Sequence, residues 1–292
     1  MHDHFHRAPG RGRCRFLLTA LALGAASLST SAALAQAASV PGHPAPQTSA
    51  TPPATPATAR DARVSQLIGK DVRNPQGEKL GEINDLIVDV NNEVVHYAIL
   101  SFGGFLGVGD KLFAYPLNVF RHASDKDELV LDIDKERLRR APGFARNHWP
   151  DWGSPDYSNS VRRHFGEADR MTPRPNAHLL RASKLMGKNV DDNNGRGAGE
   201  IQDLVVSMST GRLRYAVLEF DRAWNMNDKL LTLPMKALRF PAQERANVVL
   251  LVPREQLDAK QGFEKRQWPD VNDPTFRRQV DSSLERLGAA VR

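Results

Sequence analysis

The chain has 292 residues, with 40 basic and 34 acidic side chains and a net charge of +6. Four of the arginines and one aspartate fall in residues 1–35, leaving 36 minus 33, or +3, for the rest, a mixed balance that does not read as a nucleic-acid binder. The single cysteine, Cys14, falls there too, so the remainder offers no disulfide, thiolate nucleophile or cysteine-ligated metal.

In chain order, residues 1–35 read as a signal peptide. Arg7, Arg11, Arg13 and Arg15 make a basic start, Phe16–Leu28 an apolar stretch, and Ala33-Leu34-Ala35 a small-residue cleavage site. The apolar stretch is shorter than the ~20 residues of a comfortable span; a retained membrane anchor is the alternative. No twin arginine is present, which favours the general secretory route and a periplasmic location without a transmembrane segment after cleavage. Residues 36–60 are rich in Pro, Ala and Thr, too polar and too proline-bound to order themselves, and read as a disordered linker.

From Ser65 the sequence says one thing twice. SQLIGKDV returns as SKLMGKNV from Ser183, GEINDLIV at Gly81 as GEIQDLVV at Gly199, and YAILSF at Tyr97 as YAVLEF at Tyr215. DKLFAYP at Asp110 returns as DKLLTLP at Asp228. At an offset of 118, 21 of the 57 pairs from Ser65 to Arg121 are identical. Two copies at so long a period predict two small domains, residues 61–175 and 176–292, not a solenoid.

Each copy predicts short strands joined by tight turns. Strands are expected around Val72 and Val190, after which Asn74–Gly77 and Asp192–Gly195 give turn signals. Glu82–Val90 should follow, with Leu86, Val88 and Val90 on one face and Ile83, Asp85 and Ile87 on the other. Val94–Phe102 and Arg212–Phe220 are β-branched and aromatic, Lys111–Tyr115 and Lys229–Leu233 end at Pro116 and Pro234, and Leu129–Ile133 and Val248–Val252 close the set. Strands at roughly ten-residue spacing predict a small antiparallel barrel, with Gly81 and Gly199 at a barrel corner. Helical segments should start at Asp134, as an N-cap, and at Pro253. At an offset of 119 a tail repeats as well: Gly143-Phe144 with Gly262-Phe263, and Trp149-Pro150-Asp151 with Trp268-Pro269-Asp270. The tail is expected to clamp onto the barrel; a ligand-stacking tryptophan is the alternative.

These paired elements resemble the PRC-barrel family, named for the photosynthetic reaction centre. The resemblance implies a mainly β protein with two small antiparallel PRC-type barrels in tandem, each followed by a short helical tail. The family's fold occurs in the H subunit of the reaction centre, in a ribosome-maturation factor, and in stand-alone bacterial proteins that carry a similar GF…WPD tail. The transmembrane helix of the first and the RNA-processing domain of the second have no counterpart here, so neither function carries over directly.

No G-x-S-x-G nucleophile motif or P-loop is present, and His96, His122, His148, His164 and His178 have no metal-ligand spacing; His2, His4 and His6 alternate, but within the predicted signal peptide. Glu82, Asp85, Glu200 and Asp203 recur in both copies; acid–base work is open to them, but holding turns or bonding Lys70 and Lys188 is the expected role. No catalytic residue, cofactor or metal is therefore expected. The predicted function is a non-catalytic exported module for protein interaction or assembly in the cell envelope, with an envelope protein as partner. A small-ligand or ion-binding periplasmic protein, with its pocket between the barrels, and a reaction-centre-like accessory role are the alternatives. Partner contacts are expected from the loops 103–109 and 221–227, through Phe105, Leu106, Trp224 and Met226 at their tips.

Overall fold

A computed structural model describes residues 60–102, 111–123, 127–165, 174–224 and 229–291. The predicted signal peptide and nearly all of the linker lie outside the described residues. Among those described, no helix is long and apolar enough to cross a membrane.

The first copy contributes β1 (Asp61–Arg63), the turn-length α1 (Val64–Leu67), β2 (Asp71–Arg73), β3 (Lys79–Asp89), β4 (Val94–Phe102), β5 (Lys111–Pro116), β6 (Phe120–His122) and β7 (Leu129–Leu131). Its tail holds α2 (Lys135–Arg139), β8 (Gly143–Ala145) and α3 (Pro155–Phe165). The second copy repeats the series as β9 (Leu179–Arg181), α4 (Ala182–Leu185), β10 (Asn189–Asp191), β11 (Gly197–Ser207), β12 (Leu213–Phe220), β13 (Lys229–Leu233), β14 (Leu238–Arg239) and β15 (Val248–Leu250). Its tail ends in β16 (Phe263–Glu264) and the long α5 (Pro274–Ala290).

Two curled sheets of eight strands result, ordered β6-β7-β2-β3-β4-β5-β8 and β14-β15-β10-β11-β12-β13-β16. They are antiparallel except where β2 meets β7 and β10 meets β15. Gly81 lets β3 bend against β4: a Cβ there would sit 1.8 Å from the Ser101 carbonyl oxygen, and one at Gly199 2.0 Å from that of Glu219. Glycine is thus required by close backbone approach at the predicted corner.

One face assignment is corrected. Ile83 packs in the inner core with Leu86 and Val88, while Ile87 faces outward. The register shifts between Ile83 and Asp85, so Asn84 is an extra, bulged residue that reverses the side-chain alternation. A second shift opposite Ile87/Val88 skips His96 on β4, and the same two shifts recur around Gln202 and Arg214.

The eighth strand of each sheet comes from the other copy. β1 pairs with β11, Asp61 to Ser207 and Arg63 to Val205, and β9 pairs with β3, Leu179 to Asp89 and Arg181 to Ile87. The exchange means that the boundary at 175/176 divides the sequence but not the sheets. It also merges the two barrel interiors into one apolar core that runs from Val64 and Leu67 through Leu185, Leu204 and Val206. Near the middle, Val94 bridges Arg212, the Val95 amide donates to the Gly211 carbonyl, and the Leu213 amide donates to that of Glu93. Val94 and Arg212 are equivalent positions at the offset of 118, and the two hydrogen bonds exchange into each other at that offset, so an approximate two-fold axis passes between Val94 and Arg212.

The tails clamp as expected. On the outer face of the first sheet, Phe144, Trp149, Trp152, Tyr157 and Val161 cover Ile87, Tyr97 and Leu112. On the second, Phe263, Trp268, Phe276 and Val280 cover Val205, Tyr215 and Leu230. Edge-to-face pairs such as Trp152–Tyr157, with centroids 5.2 Å apart, add about 1 kcal/mol each beyond area burial. Asp134 caps α2 by accepting from the Arg137 amide. Pro253, by contrast, precedes only a single 3₁₀ turn, Arg254–Gln256, after which Leu257 is extended and packs into the core.

Candidate functional site

The recurring aspartates sit where the copies interlock. Asp85 is fully buried on β3. Its Oδ1 accepts the Ser183 amide at 3.0 Å and the Leu86 amide at 2.8 Å; its Oδ2 accepts the Ser183 hydroxyl at 2.6 Å and Arg181 Nε at 2.8 Å. Asp203 does the same for the first copy, accepting from the amide and hydroxyl of Ser65, the Leu204 amide and Arg63 Nε. The two guanidiniums are stacked as well: Arg63 lies 3.5 Å from the ring centre of Trp268, and Arg181 3.8 Å from that of Trp149. Each aspartate therefore grips the leader of the opposite copy, under the tryptophan of its own tail. The repeated placement of Trp-Pro-Asp is accounted for by that stacking and not by a ligand.

The expected partners of these acids are wrong in one respect. Neither Lys70 nor Lys188 meets Asp85 or Asp203. Lys70 Nζ bonds Asp127, and Lys188 Nζ donates to the Glu244 carbonyl at 2.6 Å. Glu82 is exposed, and Glu200 accepts from Gln202 at 2.5 Å. Among the described residues, no group of three or more His, Cys, Asp or Glu is placed to hold a metal ion.

Of the predicted partner contacts, Phe105, Leu106 and Met226 lie outside the described residues. Trp224 is described, and it is not an exposed tip. It is 8% exposed, packs on Phe220 with centroids 5.5 Å apart, and donates its indole N–H to the Gly197 carbonyl at 3.1 Å. A tryptophan with both a packed face and a satisfied N–H is a core residue. It forms one wall of a cavity of about 520 Å³ that Asp192, Arg196, Leu250 and Arg254 also line. In that wall Asp192 accepts two backbone amides and the Arg196 guanidinium. The Arg196 amide and side chain hold its carboxyl down at about 2.

Two further clefts lie where a leader strand crosses the opposite copy's tail or barrel, with volumes of about 360 and 390 Å³. The first contains His122, whose imidazole is pushed below its usual value by burial and by the Lys70 charge. Asp61 borders it with a carboxyl raised by burial, against the pull of Arg277 and Arg214. The clasps join groups 96 to 140 residues apart in the chain, a separation that no local motif announces.

A family model described as PRC-barrel domain matches residues 60–138 and 178–256, more than half of the chain. A search of the curated proteins finds no match.

Proposed function

The chain belongs to the PRC-barrel family, and from that premise we propose that it is an exported, non-catalytic module that presents two interlocked barrels to a protein partner in the cell envelope. The observation that carries this reading is the use of the recurring acids. Asp85 and Asp203, the residues best suited by recurrence to chemistry, are buried and bonded to the opposite copy, so their role is to hold a rigid double scaffold. A rigid scaffold with variable loops is how binding modules are commonly built. The loop sequences 103–109 and 221–227 share no identical position between the copies, GGFLGVG against DRAWNMN, which suits distinct contacts on a shared frame.

The test is crosslinking and affinity capture from an envelope fraction, with residues 36–292 as bait. A Phe105→Asp/Leu106→Asp double variant is the comparison. One or a few proteins should be enriched by the native bait and lost with the variant, whose melting temperature stays unchanged. Recovery of the same background from both baits refutes the loop as the contact. Export is checked separately. The intact mass of protein recovered from the periplasm should begin at Gln36; a species that retains residues 16–28 contradicts cleavage.

A further inference from the structure

The two junction clefts are twins by the pseudo-two-fold axis, yet their chemistry has diverged. Position by position at the offset of 118, Asp61 of the first cleft becomes Leu179 in the second, Ala62 becomes Leu180, Gln66 becomes Lys184, and His122 becomes Phe240. The registers of β2 with β7 and of β10 with β15 pair Val72 with Leu129 and Val190 with Val248. Two residues before each partner stand Asp127 and Ala246. The first cleft thus neutralises its lysine, Lys70, with Asp127. The second has alanine in that place, and Lys188 meets a neutral main-chain carbonyl instead.

The second cleft therefore combines two features absent from its twin. Its wall is apolar, from Leu179, Leu180, Phe240 and Trp152. Its cations exceed its acids: Arg181, Lys184 and Lys188 line it against Glu244 alone, and Arg181 is already matched by Asp85. Among the described residues, neither Lys184 nor Lys188 has a carboxylate partner. An apolar wall with a few convergent polar groups, at about 390 Å³, falls in the size range of small-ligand sites. Lys184 is exposed at the rim and Lys188 half-buried; two lysines without a carboxylate partner beside that wall suit an anion that carries its own apolar body.

We infer that the cleft lined by Leu179, Lys184, Lys188 and Phe240 binds a small amphiphilic anion, an acyl carboxylate whose head meets the two lysines and whose chain lies on the apolar wall. The site needs no envelope protein partner and stands apart from that reading.

The experiment is isothermal titration of residues 36–292 with decanoate below its micellar concentration, with acetate and decanol as the head-only and chain-only probes. Decanoate should bind saturably at one site, at least tenfold tighter than either probe. Lys184→Gln/Lys188→Gln and, independently, Ala246→Asp, which restores the acid of the twin cleft, should each weaken it about tenfold. Lys184 and Ala246 are not core positions, and an unchanged melting temperature confirms that these variants fold. Lys70→Gln in the twin cleft should leave the affinity unchanged. Decanoate binding no tighter than decanol, or binding unaffected by both lysine-cleft variants, overturns the assignment.

Discussion

Asp85 and Asp203 each satisfy both oxygens with four donors, two of them main-chain amides. A buried carboxylate is tolerated only when so completely bonded. Removing one leaves a serine amide and a stacked arginine without their acceptor, so Asp85→Ala or Asp203→Ala should each cost about 3 kcal/mol. A urea-denaturation series measures this; a loss under about 1 kcal/mol, the worth of an ordinary exposed ion pair, contradicts a structural clasp. Asp192 supplies a pH-dependent counterpart. Its carboxyl falls from the usual 3.8 to about 2 in the folded chain. The charged form is the one favoured by folding, so its contribution is complete above pH 3.8 and is lost as pH falls towards 2. The equivalent turn in the first copy uses Asn74, which accepts the Glu78 amide at 2.8 Å without a titrating group. Asp192→Asn should therefore flatten the acid limb of stability over that window, as followed by thermal melts between pH 5 and 2. An unaltered acid limb contradicts it.

At the scale of elements, the repeated strands, turns and tails could be read from the chain because their signals are local. The β-branched and aromatic content of Val94–Phe102, the prolines at the ends of β5 and β13, and the Asp134 cap each depend on neighbours within a few residues. What could not be read depends on residues far apart. Asn84 bulges because β4 opposes β3 there, and that single extra residue moved Ile83 to the inner face. Asp61–Arg63 and Leu179–Arg181 are too short for a period and pair across 90 residues or more, so the strand exchange leaves no pattern. Its sequence neighbours suggest a loop tip for Trp224, while Phe220 and the Gly197 carbonyl hold it in the core. Trp224→Ala should accordingly cost about 3 kcal/mol, as truncation of buried aromatics does. A melt that does not move means the ring is dispensable to packing.

For the whole molecule, the exchange makes each half incomplete without a partner edge. Residues 60–175 expressed alone still carry both the leader Asp61–Arg63 and the receiving edge Ile87–Asp89. By the pseudo-symmetry of the pairing, two such fragments should hold each other as a strand-exchanged dimer. Light scattering after size-exclusion chromatography tests this. Two monomeric halves that melt with the full chain refute it. The crossed leaders also decide how the protein bears force. Tension on the chain upstream of Arg60 arrives first at three ladder pairs on β11 and at the Asp203 clasp, which belong to the last half of the sequence. The barrel that follows Arg60 in sequence is pulled only after that grip slips. The two barrels are thus loaded like interlocked hooks and not like successive links, and the weakest point under strain is a strand of three residues at the entrance.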